Sequence, residues 1–489
     1  MSDERLDREL GEILRAAADV ELPARLADRV ASIPSRRSQS AASRGAIGGA
    51  RTRLPIGSMA LVGVVILALV WGVPRLAPGF APFGAATACG AGPTPRPPVT
   101  VKSGPTPTTL PATPSPTGPV GPTPTQAPGY FEPAGSMTTS RAGATATLLL
   151  DGRVLIVGGS SGAGYPTASA ELYDPETCSF SATGSMPAPR ANYTATPLTD
   201  GRVLIAGGFD GFTNSLATDL LYDPTTGAFR ATGSMTSPRS NPSATLLGDG
   251  RVLIAGGEGV SPNHEVDLAS AEIYDPKTGR FTPTGSMGTA RVGAATAPLP
   301  GGKILFVGGV STACTAAGCD DRPASAAEVY DPATGTFSPT GSLLAGWASS
   351  ATALKDGRVL VLGAIRNLPI PVLPIMRPQA ELYDPKTGKF TMTGGHQTPV
   401  GMNATLLPDG RVLVLGSFDA ANGGDTVSAA QLYDPTTGTF APTGSMAVAR
   451  SGPTVTLLRD GRVLVAGGAG PRGGDVPGPP LDSAELFVP

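Results

Sequence analysis

Arginine recurs at a regular spacing in the second half of the chain, and guanidinium groups that converge on one place can hold a carboxylate or a phosphate. Five of them each close a Gly-Ser-Met-x-x-x-Arg segment: Arg141, Arg190, Arg239, Arg291 and Arg450. In two further copies of the pattern, Trp347 and Val400 stand in the arginine position. The pattern predicts either an anion-binding ring or structural arginines that cap backbone carbonyls, and it leaves both possibilities open.

Residues for metal or acid–base chemistry are few. The two histidines, His264 and His396, lie far apart in sequence, and we expect both on exposed loops. Six carboxylates are scattered over variable segments and form neither an acid–base pair nor a calcium loop: Asp210, Glu258, Asp320, Asp321, Asp419 and Asp475. We therefore predict no catalytic residue, no metal and no cofactor.

Cysteine use points to structure and not to zinc, because none of the four cysteines forms a Cys-x-x-Cys pair. Cys314 and Cys319 enclose the short stretch TAAG, and we predict a small disulfide loop between them. Pairing of Cys89 with Cys178 is left open.

The elements that carry these residues repeat. "DGRVLIVGG" at Asp151 has six close copies, which begin at Asp200, Asp249, Gly301, Asp356, Asp409 and Asp460. A period of about fifty residues predicts a repeat architecture. Asp-Gly between two β-rich runs predicts a hairpin, and "VLIV" is apolar on both alternating faces, so its strand must be covered on both sides. "SAELYDP" and "SFSATGSM" complete four strands, which is one blade of a β-propeller.

The order Arg, Asp-Gly, Gly-Gly, Tyr-Asp-Pro-x-Thr-Gly and an aromatic residue is similar to the kelch repeat. The tyrosines are Tyr173, Tyr222, Tyr274, Tyr330, Tyr383 and Tyr433, and phenylalanine follows at the family's usual tryptophan position. The resemblance implies an all-β, seven-bladed propeller over residues 130–489. It also implies a closure in which "YFEPAGSM", from Tyr130, supplies the fourth strand of the blade whose third strand is "SAELFVP".

Glutamates precede the tyrosine position in five repeats: Glu171, Glu272, Glu328, Glu381 and Glu485. We expect them to form structural cross-strand pairs with the basic residue after each Asp-Gly turn: Arg153, Arg251, Lys303, Arg358 and Arg462.

Three segments precede the repeats. Residues 1–53 are predicted to form short amphipathic helices. Residues 54–73 are predicted to form a transmembrane helix, since Ile56 to Val73 hold no charge. Arginines are concentrated before this helix, which predicts a single-pass protein with a cytoplasmic N-terminus and an extracytoplasmic propeller. Residues 74–129 are rich in Pro and Thr, and this composition predicts a disordered linker.

Sequence variability is concentrated after Gly-Gly, on the end of the propeller that also carries the arginines. The most apolar of these segments, Ile365 to Pro378, lies in the repeat with Trp347. Together with Arg366 and Ile370, Trp347 is predicted to form either an aromatic binding site with a polar rim or a loop folded over the propeller mouth.

The predicted function is therefore a membrane-anchored, extracytoplasmic propeller that binds a protein, peptide or glycan. The net charge of −2 argues against nucleic acid. One alternative is an enzyme, a carbohydrate oxidase or lyase-like protein: the fold type resembles galactose oxidase, whose copper needs two His and two Tyr, one joined to a Cys. Neither histidine has a matching context, so an enzyme is the less favoured possibility. Another alternative is a transmembrane sensor that signals through residues 1–53.

Overall fold

The computed structural model describes residues 129–489 except for 162–164, 212–214, 262–263, 316–317, 345, 367–375, 395–399, 420–424 and 472–477. The predicted cytoplasmic segment, the predicted transmembrane helix and all of the linker before Gly129 lie outside the described residues. Among the residues that are described, no helix is long and apolar enough to cross a membrane.

Seven antiparallel sheets follow one another along the chain, so the predicted all-β, seven-bladed propeller is confirmed. The first three blades are blade 1, β2 (Thr145–Leu148), β3 (Val154–Val157), β4 (Ala170–Asp174) and β5 (Ser179–Ala182); blade 2, β6 (Thr194–Pro197), β7 (Val203–Ala206), β8 (Leu220–Asp223) and β9 (Ala228–Ala231); and blade 3, β10 (Ser243–Leu246), β11 (Val252–Ala255), β14 (Ala271–Asp275) and β15 (Arg280–Pro283).

The next three are blade 4, β16 (Ala295–Pro298), β17 (Ile304–Val307), β20 (Ala326–Asp331) and β21 (Thr336–Ser342); blade 5, β22 (Trp347–Ala353), β23 (Val359–Arg366), β24 (Met376–Asp384) and β25 (Lys389–Met392); and blade 6, β26 (Val400–Leu406), β27 (Val412–Asp419), β29 (Ala430–Asp434) and β30 (Thr439–Pro442), with β28 (Asp425–Thr426) beside β27. Blade 7 is β31 (Thr454–Leu457), β32 (Val463–Ala466), β33 (Leu481–Val488) and β1 (Tyr130–Arg141). Separate hairpins extend blade 3, β12 (Glu258–Ser261) with β13 (His264–Asp267), and blade 4, β18 (Val310–Thr315) with β19 (Gly318–Pro323).

The second strand of each blade is buried on both faces, as its sequence predicts. In β3, all four residues are buried. Ile156 packs in a cluster with Leu464 of blade 7, whereas Leu155 packs in a cluster with Val203 and Ile205 of blade 2. Each blade therefore buries apolar surface against two neighbours, and apolar burial contributes about 25 cal/mol per Å².

Two kinds of turn share one end of the propeller, which we call the turn end. In the Asp-Gly turns, the Asp151 carboxylate accepts the amide of Arg153, and Gly152 takes a positive φ of 93° that suits glycine. The arginine after such a turn reaches the Tyr-Asp-Pro turn of the following blade: Arg202 donates to the Pro276 carbonyl, 3.3 Å away. The repeated turns thus join adjacent blades, and the opposite end is called the hairpin end.

A tyrosine–threonine hydrogen bond crosses five of the seven seams between blades. In these five seams the tyrosine hydroxyl lies 2.8–2.9 Å from the hydroxyl of a threonine in, or directly after, the fourth strand of the preceding blade. The pairs are Thr183–Tyr222, Thr232–Tyr274, Thr284–Tyr330, Thr340–Tyr383 and Thr393–Tyr433. Both seams of blade 7 lack this bond, because Phe487 replaces the tyrosine and Ala134 replaces the threonine. Within the described part of the chain, the buried Tyr173 hydroxyl opposite Ala134 has no hydrogen-bond partner.

Blade 7 closes the ring with strands from both ends of the propeller, as predicted. β1 pairs with β33 from Tyr130↔Val488 onward, and the rings of Phe131 and Phe487 lie 5.1 Å apart. The Gly129 carbonyl accepts a hydrogen bond from the amide of Gly444, just as Gly227, at the end of the Tyr-Asp-Pro turn of blade 2, accepts one from Gly184. The chain therefore enters the propeller at the turn end.

Replacing Ala134 by threonine is expected to supply the missing partner of Tyr173. The added hydrogen bond should raise the free energy of unfolding by about 0.5–1.5 kcal/mol, measured by denaturant titration. Ala134→Val, with the same shape but no hydroxyl, is the control. An equal gain in the valine variant would show that packing, and not the hydrogen bond, is responsible.

Candidate functional site

The predicted arginine ring is built from one arrangement, described here for blade 1. Arg141 is buried, and its Nη1 donates to the carbonyls of Gly158 and Ser169, both at 2.9 Å. Its Nη2 donates to Glu171 at 2.8 Å, and Glu171 also accepts the backbone amide of Thr138 at 2.7 Å. This arginine clamp ties the segment that crosses from blade 7 to the second and third strands of blade 1.

Three other blades repeat the arginine clamp, with ion-pair distances of 2.7–3.1 Å: Arg239–Glu272, Arg291–Glu328 and Arg450–Glu485. All five predicted ring arginines are at most 4% exposed, so their guanidinium groups contact protein groups. This geometry corresponds to the carbonyl-capping alternative of the sequence analysis. Binding of an external anion to these arginines stays a prediction.

The predicted glutamate partners are wrong. Glu171 pairs with Arg141, and Arg153 instead pairs with Asp151 of its own Asp-Gly turn at 2.6 Å. Lys303 likewise pairs with Asp331, at 3.0 Å. The reason is reach: the residue after Asp-Gly sits at the turn end, whereas the glutamate side chain is directed toward the crossing segment.

In blade 2, Leu220 occupies the glutamate position, and a carboxylate, Asp219, stands one residue before it, at the position that Ala170 has in blade 1. Asp219 is buried and accepts the amides of Gly207 (2.9 Å) and Met235 (3.2 Å). Arg190 donates to the carbonyls of Gly207 and Thr218. Burial raises the pKa of Asp219 to about 7, although the two amides and the charge of Arg190 act to lower it. Among the described residues, this carboxyl is therefore a buried group that titrates near neutrality.

Blades 5 and 6, which lack the arginine, have longer strands. In blade 1 the pairing of β3 with β4 ends at Val157↔Ala170. In blade 5 the pairing of β23 with β24 continues to Arg366↔Met376. In blade 6, β27 runs on to Asp419 and pairs with β28.

The missing arginine clamp and the missing Gly-Gly explain this extension together. In blade 1, Gly158 and Gly159 have φ values of 58° and 82°, which turn the chain away from the sheet. The clamp arginine holds the turned backbone by its carbonyl. In blades 5 and 6 the corresponding residues, Gly363 and Gly416, lie in continuous strands. The sequence shows both losses in the same two repeats, and that signal predicts the longer hairpins.

Blades 3 to 6 form a tall side of the hairpin end: blades 5 and 6 have longer strands, and blades 3 and 4, which keep the arginine clamp, carry separate hairpins. The hairpins of blades 3 and 4 contact each other, since the Asp267 carboxylate accepts the amide of Thr312. In the described parts of blades 7, 1 and 2, the corresponding connections carry isolated bridges, such as Ser160↔Pro166. The hairpin end therefore differs from blade to blade and extends further on one side than on the other.

Trp347 opens the first strand of blade 5 on this tall side. Its side chain is half-buried, and its Nε1 is a buried donor without a partner among the described residues. Leu344, three residues earlier, is 61% exposed. Arg366 ends β23, but its side chain and the whole of Ile370 lie outside the described residues. The structure thus places Trp347 on the tall side of the hairpin end, and its predicted role with Arg366 and Ile370 stays a prediction.

The predicted disulfide residues Cys314 and Cys319 lie directly opposite each other in the β18–β19 hairpin. Their side chains lie outside the described residues, so the bond stays a prediction.

A second candidate site is a cleft at the turn end between blades 5 and 6. It has a volume of about 640 Å³ and is lined by Lys355, Asp356, Arg358, Asp409, Gly410, Arg411, Asp434, Pro435 and Thr436. Arg358 pairs with Asp356 and Arg411 pairs with Asp409 at 2.6 Å. The charges that line the cleft largely cancel, which leaves no dominant charge for recognition of an ion.

Comparisons with known proteins agree with this fold. Residues 141–187, which run from one arginine clamp to the next crossing segment, match the Kelch motif. No curated protein matches the sequence. The chain is a seven-bladed propeller of kelch-type repeats, and the predicted resemblance is confirmed.

One similar solved structure is titled as a novel fungal alcohol oxidase of the AA5 family in complex with copper. It is 19% identical, with a TM-score of 0.55, and the match covers 74% of this chain and 76% of that one. Likeness at this identity shows the fold and not the chemistry.

A copper site of the kind found in that fold needs clustered ligands. Among the described residues, no three His, Cys, Asp or Glu side chains come close enough to hold a metal. His264 lies in the β13 hairpin of blade 3, and His396 falls outside the described residues. The described residues therefore do not fit such a site, and no catalytic step is assigned to them.

The stability of the propeller is expected to depend on the pH through Asp219. The folded pKa of about 7 lies above the usual value of 3.8, so between these values the folded state holds a proton that the unfolded state has released. Stability should therefore fall as the pH rises from 5 to 8, by on the order of 1–3 kcal/mol relative to Asp219→Asn. Denaturant titrations of both proteins at several pH values measure this difference, and parallel curves would contradict it.

Proposed function

We propose that this protein is a membrane-anchored, extracytoplasmic recognition propeller that binds a protein, peptide or glycan at its hairpin end. The observation that carries the proposal is the segregation of variable and repeated structure. The turn end repeats the same Asp-Gly and Tyr-Asp-Pro turns, whereas strand length, hairpins and the arginine clamp differ between blades at the hairpin end. Binding usually resides in variable segments on a rigid scaffold.

The path of the chain supports the proposed orientation. Gly129 and Tyr130 lie at the turn end, so the sequence before the propeller approaches from that side. If residues 54–73 anchor the protein, the hairpin end is presented away from the membrane, where a ligand can reach it.

Disulfide chemistry supports the proposed compartment. Cys178 takes part in a disulfide bond, and such bonds persist in oxidising surroundings outside the cytoplasm.

Trp347 and Leu344 are the proposed contact residues on the tall side of the hairpin end. Tryptophan is enriched at binding hot spots because its indole supplies a large, rigid apolar surface, and the Trp347 side chain is only half-buried. The exposed Leu344 extends the apolar surface of this patch.

Binding by the hairpin end is tested with glycan and peptide arrays probed by the full chain. Leu344→Asp should reduce capture at least tenfold, which corresponds to about 1.4 kcal/mol, with an unchanged melting temperature because the residue is exposed. Leu150→Asp is the matched control: Leu150 is 63% exposed at the turn end, against 61% for Leu344. Equal capture by both variants would refute the hairpin-end site, and copper-dependent alcohol oxidation without capture would favour the enzyme alternative.

The proposed topology is tested separately with protease added to intact cells. Because the propeller is placed outside, tags within residues 1–53 should be protected while a tag after Pro489 is removed. Permeabilised cells, in which both tags are cut, are the control. A protected C-terminal tag in intact cells would reverse the orientation.

A further inference from the structure

Cys178 occupies a backbone position that favours glycine. It closes the Tyr-Asp-Pro turn of blade 1 with a φ of 50°. The corresponding residues of blades 2 to 6 are all glycines with φ between 66° and 70°: Gly227, Gly279, Gly335, Gly388 and Gly438. Left-handed backbone is disfavoured for any residue with a Cβ. The thiol therefore stands where the fold alone would select glycine.

The sulfur of Cys178 takes part in a disulfide bond whose other half lies outside the described side chains. Cys314 and Cys319 are opposite each other at the hairpin end of blade 4, whereas Cys178 is at the turn end of blade 1. A four-residue strand alone spans about 13 Å, and bonded cysteines need Cα atoms within about 7 Å. Of the chain's four cysteines, only Cys89 remains as a partner.

Cys178 lies at the seam where the ring closes. It packs in one cluster with Ala134 and Met137 of β1, and a Cβ on Gly135 would come within 2.8 Å of its carbonyl oxygen. This is the seam in which Tyr173 lacks its threonine partner. The bonded cysteine thus sits beside the strand that enters the propeller, at a seam that lacks one of the repeated hydrogen bonds.

We propose that the turn end of this seam is the docking site for the chain's own segment around Cys89, held by a Cys89–Cys178 disulfide. The bond forms by exchange with an external disulfide: the two thiols lose two protons and two electrons, and that disulfide is reduced to two thiols. The resulting covalent loop encloses β1, so the closing strand is fastened to blade 1 as well as paired with β33.

The Cys89–Cys178 bond would also limit the distance between the propeller and the membrane, a consequence that rests on the proposed anchor at residues 54–73. With the bond, only residues 74–88 separate the anchor from the propeller, about 45 Å when fully extended as polyproline II. Without it, the linker to Gly129 extends to about 170 Å. The disulfide would therefore hold the turn end of the propeller near the membrane.

Peptide mapping of the full chain, purified with free thiols alkylated and digested without reduction, tests the bond itself. A cross-linked peptide that contains Cys89 and Cys178 is the expected result. Alkylated Cys178, a bond from Cys178 to Cys314 or Cys319, or a disulfide-linked dimer through Cys178 would each overturn the proposal. None of these results depends on whether the hairpin end binds a ligand.

Matched variants test the fastening of the closing strand. Cys89→Ser should lower the melting temperature by several degrees and make Cys178 reactive to alkylation, whereas Cys314→Ser should leave Cys178 unreactive. Cys178→Gly removes the bond while restoring the residue of the other blades, so its melting temperature should fall less than that of Cys89→Ser. Unchanged melting in Cys89→Ser would refute the fastening role, and reactive Cys178 in Cys314→Ser would refute the pairing.

Discussion

The structure depends on second strands that are apolar on both faces. Because β3 and its six counterparts are buried on both sides, no blade can satisfy its apolar surface alone, and an open array would leave two blades uncovered. A closed ring removes those ends. The exchange of β1 into blade 7 is the step that converts a row of blades into a ring, and the Phe131–Phe487 contact continues the aromatic pairing of the other blades across it.

The arginine clamp illustrates how a structural device shapes the functional surface. In blade 1, where the arginine, its glutamate and Gly-Gly occur together, the second and third strands separate at the hairpin end. Where Trp347 and Val400 replace the arginine, the strands continue and the blades grow taller. Loss of the arginine clamp in two adjacent blades thus accompanies their longer strands, whereas blades 3 and 4 keep the clamp and carry separate hairpins.

The two seams of blade 7 lack the tyrosine–threonine hydrogen bond of the other seams, and one of them holds the disulfide-bonded Cys178. Phe487 and Ala134 remove a hydrogen bond on either side of this blade, and Tyr173 is left with an unpaired hydroxyl among the described residues. Cys178, in a backbone conformation that glycine prefers, stands at one of these seams. The proposed Cys89–Cys178 bond would fasten the ring at the seam where the Tyr173 hydroxyl lacks its threonine partner.

Sequence periodicity determined the number of blades, the order of strands within them and the closure, because these follow from local patterns: Asp-Gly turns, two-sided apolar strands and a split first and last repeat. The partners of the buried charges could not be obtained in the same way. Glu171 lies closer in sequence to Arg153 than to Arg141, yet it pairs with Arg141, since the crossing segment returns over the third strand. Likewise, only the assembled ring shows that Tyr173 lies beside Ala134 and that Cys178 packs against β1. These are contacts between residues of different blades, and their distances are set by ring closure, which no local pattern encodes.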